Sequence, residues 1–261
     1  MIKLGPAGTS GLGIVKGLQK ARDLNLQALE VEFTYGINMN NQTAKEAGKL
    51  ANDLGISLSI HAPYYINLNS SDKRKIEQSK KRILQSCERA SYLKARYVVF
   101  HPGYYGKKTP EETYKIIKEN ILDLQEKISA NAWNVYLAPE TTGKVNVFGN
   151  LDEILKLVKE TKCKFCLDFA HLLARSNGKL SYEEMCKKVA KFKELHTHFS
   201  GIIWTAKGEK EHKITPPAEI EKLARALKKY RIKNITIINE SPDPYGDCVK
   251  TQKIFAKLKL M

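Results

Sequence analysis

Six short apolar segments of the sequence each end in a histidine, glutamate or aspartate, which are side chains able to bind divalent metals. The terminal residues are His61, His101, Glu140, Asp168, His198 and Glu240; His171 lies three residues after Asp168 in the predicted loop, and His212 lies in the predicted long loop after His198. Imidazole nitrogen with carboxylate oxygen suits Zn, Mn or Fe, and the set lacks the thiolates of a structural zinc site. The pattern predicts a metal centre.

Taken one at a time, these residues also suit structural roles. A single histidine at a strand end can be a hydrogen-bonded core residue, and Glu140 or Glu240 alone could belong to a salt bridge. The repetition of ligand types at the ends of consecutive segments favours a metal site over these separate explanations.

The segments that carry these residues alternate with longer stretches of helical period. The predicted strands are Ile2–Gly5, Ala28–Phe33, Ser57–His61, Tyr97–His101, Val135–Glu140, Phe165–Asp168, Leu195–Phe199 and Ile235–Glu240. The predicted helices lie near 11–24, 42–54, 71–93, 110–130, 151–160, 180–193, 216–230 and 245–258. This alternation predicts an α/β fold, a single (β/α)₈ TIM-barrel domain over residues 1–261, ahead of an open doubly wound sheet. Because the carboxyl ends of barrel strands open on one face, the ligands should converge there.

Composition limits the environment and the partners. Lys and Arg number 44 against 28 Asp and Glu, giving a formal charge of +16 that attracts polyanions such as DNA, although lysines can also simply solvate helix faces.

Apolar runs such as Ile235–Ile238 are too short to cross a bilayer, and the N-terminus MIKLGPAGTSG lacks a secretory apolar stretch, so we expect a cytoplasmic protein without membrane contact. Cys163 and Cys166 form one CxxC with no second pair at zinc-ribbon spacing, so we expect buried thiols.

Six motifs carry a family resemblance. HAPYYINL (61–68), HPG (101–103), PETTG (139–143), LDFAH (167–171), HTHFSG (196–201) and NESP (239–242) resemble, in order, the signatures of the endonuclease IV family. That family comprises metal-dependent abasic-site DNA endonucleases on a (β/α)₈ barrel. The resemblance covers nearly the whole chain.

The resemblance implies a centre of up to three zinc ions, with Mn or Fe as alternatives. Carried over by motif, His61, His101 and Glu140 hold one ion; Glu140 is shared with a second ion held by Asp168, His198 and Glu240; His171 and His212 hold the third. His196 is the alternative to His198. Glu140 is the catalytic residue, and Tyr64 matches the tyrosine that enters DNA.

Two departures from the family pattern bear on the site. The family has an acidic residue two positions before the histidine matched by His212, where this chain has Lys210; Glu209 or Glu211 could substitute through a shifted loop. The family also carries an arginine after the second strand, but FTYGINMNNQ contains none.

The resemblance implies a DNA repair endonuclease, active in base excision repair, that hydrolyses the phosphodiester 5′ to an abasic site in double-stranded DNA. Two alternatives stay open: a xylose-isomerase-like sugar isomerase or epimerase, and a damaged-DNA-binding homologue with impaired catalysis.

Overall fold

The structure is a computed structural model that describes residues 1–261 and contains ten strands and nine helices. The strands are β1 (Ile2–Pro6), β2 (Ala28–Glu32), β3 (Ser57–His61), β4 (Tyr97–Phe100), β5 (Tyr136–Pro139), β6 (Cys166–Asp168), β7 (Leu195–Phe199), β8 (Gly201–Thr205), β9 (Gly208–Lys213) and β10 (Ile235–Asn239). The helices are α1 (Ile14–Asp23), α2 (Asn41–Asp53), α3 (Lys73–Leu93), α4 (Pro110–Ala130), α5 (Leu151–Thr161), α6 (Phe169–Arg175), α7 (Tyr182–Val189), α8 (Pro217–Lys229) and α9 (Pro244–Lys257).

The chain divides into two compact units. The first unit consists of residues 1–29, 143–145 and 167–261, and the second unit consists of residues 30–142 and 146–166. One sheet has the strand order β1-β10-β7-β6, another has the order β2-β3-β4-β5, and β8 pairs with β9. The pairs β1–β10, β10–β7, β3–β4 and β4–β5 are parallel, as predicted, whereas β8–β9 is antiparallel.

The eight predicted strands and eight predicted helices are all present, and local capping explains where several helices begin. Thr109 and Ser181 each accept a hydrogen bond from the backbone N–H three residues later, and the glutamates at those positions bond back to the cap. These capping boxes satisfy amide groups that have no partner within the helix. Strands β4, β6 and β7 are buried along their whole length. This burial explains why β4 and β6 lie in apolar runs of the sequence.

Two elements differ from the prediction. His171 lies on α6, not in a loop, because the Asp168 carboxylate caps a helix directly after β6. His212 lies on β9, not in a long loop, because residues 201–213 form a hairpin whose turn ends at Gly208 with φ +91°. Ala170 and Ala174 of α6 pack against Ile202 of β8, so the helix and the hairpin support each other.

The remaining structural expectations concern cysteines and membranes. All five cysteines are buried free thiols, and burial raises the pKa of Cys163 from its ordinary value to about 11. None of the helices combines the length and the apolar character needed to cross a bilayer.

Candidate metal centre

The second unit brings three of the predicted ligands to one point. His61 ends β3, and His101 and Glu140 directly follow β4 and β5. Because Phe100 and Pro139 are register partners, the next residues along both strands emerge side by side. The Nε2 atoms of His61 and His101 lie 3.2 and 3.1 Å from the same oxygen, Oε2 of Glu140.

Burial and charge set the protonation of this cluster. Glu140 is fully buried and His61 is 3% exposed. Burial by itself lowers the pKa of His61, but the hydrogen bond to Glu140 and the negative charges of Glu32, Glu140 and Glu30 outweigh it and raise the pKa to about 10. The raised pKa favours the protonated form of His61 as the partner of Glu140, and a metal that binds here must displace that proton.

The three donor atoms fit a divalent ion. A zinc ion with bonds of about 2.0–2.2 Å to nitrogen and carboxylate oxygen sets neighbouring ligand atoms roughly 3.2–3.6 Å apart. The distances of 3.2 and 3.1 Å from Glu140 Oε2 to the two imidazoles lie at the short end of that spacing. The donor set of two imidazoles and a carboxylate is the type that suits Zn, Mn or Fe.

Two carboxylates of the second unit were not among the predicted site residues. Glu30 is fully buried on β2 and accepts a 2.6 Å hydrogen bond from the Ser59 hydroxyl on β3. Glu32, two residues further along the strand, contributes to the negative potential at His61. The signal available in the sequence was two glutamates at strand spacing inside an apolar run, ALEVE, where a charge needs a compensating partner.

Tyr64 stands beside the histidines of the second unit. Its ring centroid is 5.4 Å from that of His61 and 6.4 Å from that of His101, and half of the residue is exposed. An aromatic ring that is packed on one side and open on the other can stack on a base or an unstacked nucleotide. Its role in DNA binding stays a prediction.

The first unit brings together Asp168, His198 and Glu240. Strands β7 and β10 are in register, with Ile238 opposite His198, so Glu240 leaves β10 beside the end of β7. His198 Nδ1 lies 3.1 Å from Glu240 Oε1 and 4.0 Å from Asp168 Oδ2. His196, the alternative ligand, is buried on the same strand with its ring 5.9 Å from that of His198. These contacts favour His198 as the ligand.

A further group of ligand atoms in the first unit joins α6 to the hairpin. His171 Nε2 lies 3.5 Å from Glu209 Oε2, and His212 Nε2 lies 3.9 Å from Glu209 Oε1. The Ser200 hydroxyl lies 2.6 Å from Nδ1 of His212, which leaves Nε2 of that ring facing Glu209 and also Glu240, whose Oε2 lies 3.9 Å away. Ser200 was not predicted as a site residue; it lies two residues after His198, within the motif HTHFSG.

The predicted ligands of each unit therefore converge within that unit. His61, His101 and Glu140 meet in the second unit, and Asp168, His171, His198, His212 and Glu240 meet in the first. The sharing of Glu140 between two ions, and its catalytic role, stay predictions.

Comparisons with known proteins identify relatives along the chain. The family model described as xylose isomerase-like TIM barrel matches residues 18–258. An uncharacterised protein of Methanocaldococcus jannaschii is 37% identical over 96% of this chain and 97% of its own length. A probable endonuclease 4 of Aster yellows witches'-broom phytoplasma is 34% identical, but the match spans 56% of this chain and only 52% of that protein.

A solved structure supports the architecture. Endonuclease IV from Thermus thermophilus superposes with a TM-score of 0.72 over 99% of this chain and 100% of that chain, at 21% identity. Structural similarity at that identity is evidence for the fold alone, and it confirms the predicted (β/α)₈ architecture. The chain belongs to the xylose isomerase-like TIM barrel family.

Proposed function

We propose that this protein is a metal-dependent DNA repair endonuclease that hydrolyses the phosphodiester 5′ to an abasic site in double-stranded DNA. The observation that carries the proposal is the approach of His61 and His101 to a single buried oxygen of Glu140, at 3.2 and 3.1 Å. A buried carboxylate with two imidazoles at this spacing is suited to a catalytic metal.

The substrate class rests on separate support. The motifs resembling endonuclease IV and the probable endonuclease 4 relative both favour DNA. A formal charge of +16 favours association with a polyanion, and the half-exposed Tyr64 offers a stacking surface beside the histidines. An abasic nucleotide has no base to unstack, so its extrusion from the duplex costs little.

The ions and Glu140 have different roles in the proposed reaction. Divalent ions, when bound, neutralise phosphate oxygens and lower the pKa of water so that a nucleophile exists near neutral pH. Glu140 fixes His61 and His101 in place, and we assign the catalytic role to this carboxylate. Zinc is the expected metal, up to three ions, with Mn or Fe as alternatives. The residues that would hold the ions are His61, His101, Glu140, Asp168, His171, His198, His212 and Glu240.

A sugar isomerase or epimerase is the second candidate. Glu30 and Glu32 add negative charge beside His61, which disfavours a phosphate substrate and supplies extra groups for proton transfer on a neutral sugar. The family description, xylose isomerase-like, is compatible with this chemistry.

A nicking assay on metal-analysed protein tests the proposal. Full-length protein purified without chelator is analysed for metal by mass spectrometry and then incubated with a duplex that carries one abasic site. We expect incision on the 5′ side of the lesion, no incision of the undamaged duplex, and loss of incision in Glu140→Gln. Glu111→Gln, on the exposed face of α4, is the control and should cut normally.

Other outcomes decide against the endonuclease. Conversion of ketose or aldose substrates by metal-loaded protein that leaves the abasic duplex intact would establish the second candidate. Salt-sensitive binding to damaged duplex with no turnover at any metal supplement would identify a binding protein that has lost catalysis.

A further inference from the structure

We propose that Glu209 is the carboxylate ligand of the ion that His171 and His212 would hold, and that Lys210 is an inserted bulge residue that brings Glu209 to this position. The inference rests on the proposed metal centre and adds a ligand to it. Nothing in the motif pattern assigns this role, because the family's acidic residue aligns with Lys210.

The β8–β9 hairpin contains an irregularity at Lys210. Ile202 pairs with His212 and Ile203 pairs with Glu211, but the next residue of β8, Trp204, pairs with Glu209. Strand β9 therefore has one residue more than β8 over this stretch, and that residue is Lys210. An extra residue of this kind is a β-bulge, which breaks the alternation of side chains along a strand.

The bulge decides which side chain shares a face with His212. In a regular strand, residues two apart lie on the same face, so position 210 would accompany His212. With one residue inserted, Glu209 takes that position instead. Lys210 and Glu211 are exposed and form an ion pair with each other at 3.5 Å, whereas the Glu209 side chain is 19% exposed.

The Glu209 carboxylate reaches both imidazoles with its two oxygens. Oε2 lies 3.5 Å from Nε2 of His171, and Oε1 lies 3.9 Å from Nε2 of His212. One ligand atom from each of the three residues falls within 4.8 Å of the others. The 3.5 Å separation falls within the roughly 3.2–3.6 Å between neighbouring ligands of a zinc ion, and the 3.9 Å separation is a little longer.

The backbone around Glu209 is built for this approach. The Glu209 N–H donates to the Gly143 carbonyl at 3.0 Å. A Cβ on Gly143 would lie 2.6 Å from the Glu209 side chain and 3.1 Å from Cδ2 of His171, so a glycine there leaves room for both ligands. Gly208, with φ +91°, turns the chain into β9 against the same carbonyl.

Zinc titration of matched variants tests the assignment without relying on activity. Full-length protein is stripped with chelator, and zinc stoichiometry and affinity are measured by competition with a chromophoric chelator. We expect Glu209→Gln to weaken one ion per chain by about 100-fold or more, beyond the loss typical of a change outside the ligand shell. Glu211→Gln makes the same charge change two residues away and should bind zinc as the wild type does.

Two changes at position 210 test the bulge itself. Lys210→Asp in the Glu209→Gln background should leave the weakened site weak, because residue 210 is the exposed bulge residue and pairs with Glu211. Deletion of Lys210 should keep the site intact, because it returns β9 to regular register with Glu209 two residues before His212 on the same face. Circular dichroism and melting temperature establish that each variant is folded.

The outcomes separate this inference from the proposed function. Unchanged zinc binding by folded Glu209→Gln, or its rescue by Lys210→Asp, would overturn the Glu209 assignment and leave the metal centre standing. If Glu209→Gln does not fold, the Lys210 deletion decides: retained zinc supports the assignment, and loss of one ion overturns it. A wild-type chain that binds no ion would overturn both.

Discussion

One carboxylate oxygen of Asp168 caps helix α6, while the other faces the imidazole of the histidine that this helix carries. Oδ1 accepts a 2.6 Å hydrogen bond from the backbone N–H of His171, and Oδ2 lies 3.4 Å from Nδ1 of the same residue. The helix start and the position of the His171 imidazole are therefore set by a single side chain.

Substitutions at Asp168 should separate the two roles. Asparagine caps helices as well as aspartate does, so Asp168→Asn should keep α6 but lose zinc affinity because the charge is gone. Asp168→Ala should lose zinc and, in chelated protein, also about 0.5–2 kcal/mol of unfolding free energy. Urea unfolding and zinc titration measure the two effects. Asp72→Asn, at the cap of α3, is the control and should keep normal zinc binding. Equal stability of Asp168→Ala and Asp168→Asn would contradict the capping role.

The parallel framework was predictable because its signals are local. Fully buried strands such as β4 need uninterrupted apolar runs, and capping residues such as Thr109 mark where the helices between them begin. The positions of the candidate ligands followed from the same signals, because side chains at the carboxyl ends of parallel strands emerge on one face.

The hairpin and α6 were not predictable in the same way. Strand β9 reads GEKEHK, which lacks the apolar alternation of a half-buried strand, and its bulge is a property of its pairing with β8. Helix α6 has only seven residues and follows β6 without a connecting loop, so its period is too short to detect. Both features bear on the candidate ligands His171 and His212, for which the sequence left Glu209 and Glu211 as equal alternatives for the acidic partner.

Ser200 should act as a positioning residue for His212. Its hydroxyl is 2.6 Å from Nδ1, so Ser200→Ala should free the imidazole to rotate and weaken one zinc ion by about 10- to 100-fold. Ser200→Thr, which retains the hydroxyl, should restore the affinity. Thr205→Ala removes a hydroxyl at the end of β8 that accepts a hydrogen bond from the Lys207 amide, and it should leave zinc binding unchanged. Equal affinities for the wild type and Ser200→Ala would remove the positioning role.

Tyr64 should contribute to DNA binding and not to metal binding. Because base–aromatic stacking contributes about 1–3 kcal/mol, Tyr64→Ala should raise the Kd for an abasic duplex by about 5- to 150-fold with unchanged zinc content. Fluorescence anisotropy at fixed salt measures the Kd. Tyr92→Ala, an exposed tyrosine on α3, controls for general loss of aromatic surface. An unchanged Kd, or a loss of zinc, would exclude this role for Tyr64.

Asp247 should make the attachment of the β8–β9 hairpin to the first unit sensitive to acid. Its buried carboxylate accepts hydrogen bonds from the Thr215 amide at 2.7 Å and from Lys250, and the Thr215 hydroxyl in turn accepts from the Gly201 amide at the start of β8. Burial favours the neutral acid, but these hydrogen bonds outweigh it and hold the pKa of Asp247 below its ordinary value of 3.8. The stabilisation is therefore fully present above about pH 4 and is lost as the pH falls through the lowered pKa.

Asp247→Asn should melt well below the wild type at pH 7, with the difference shrinking under pH 4. Melting is followed in chelated protein so that metal release does not contribute, and Asp53→Asn, on the exposed end of α2, should show no such convergence. A difference between wild type and Asp247→Asn that stays constant from pH 7 to pH 3 would show that the carboxylate charge does not hold the hairpin in place.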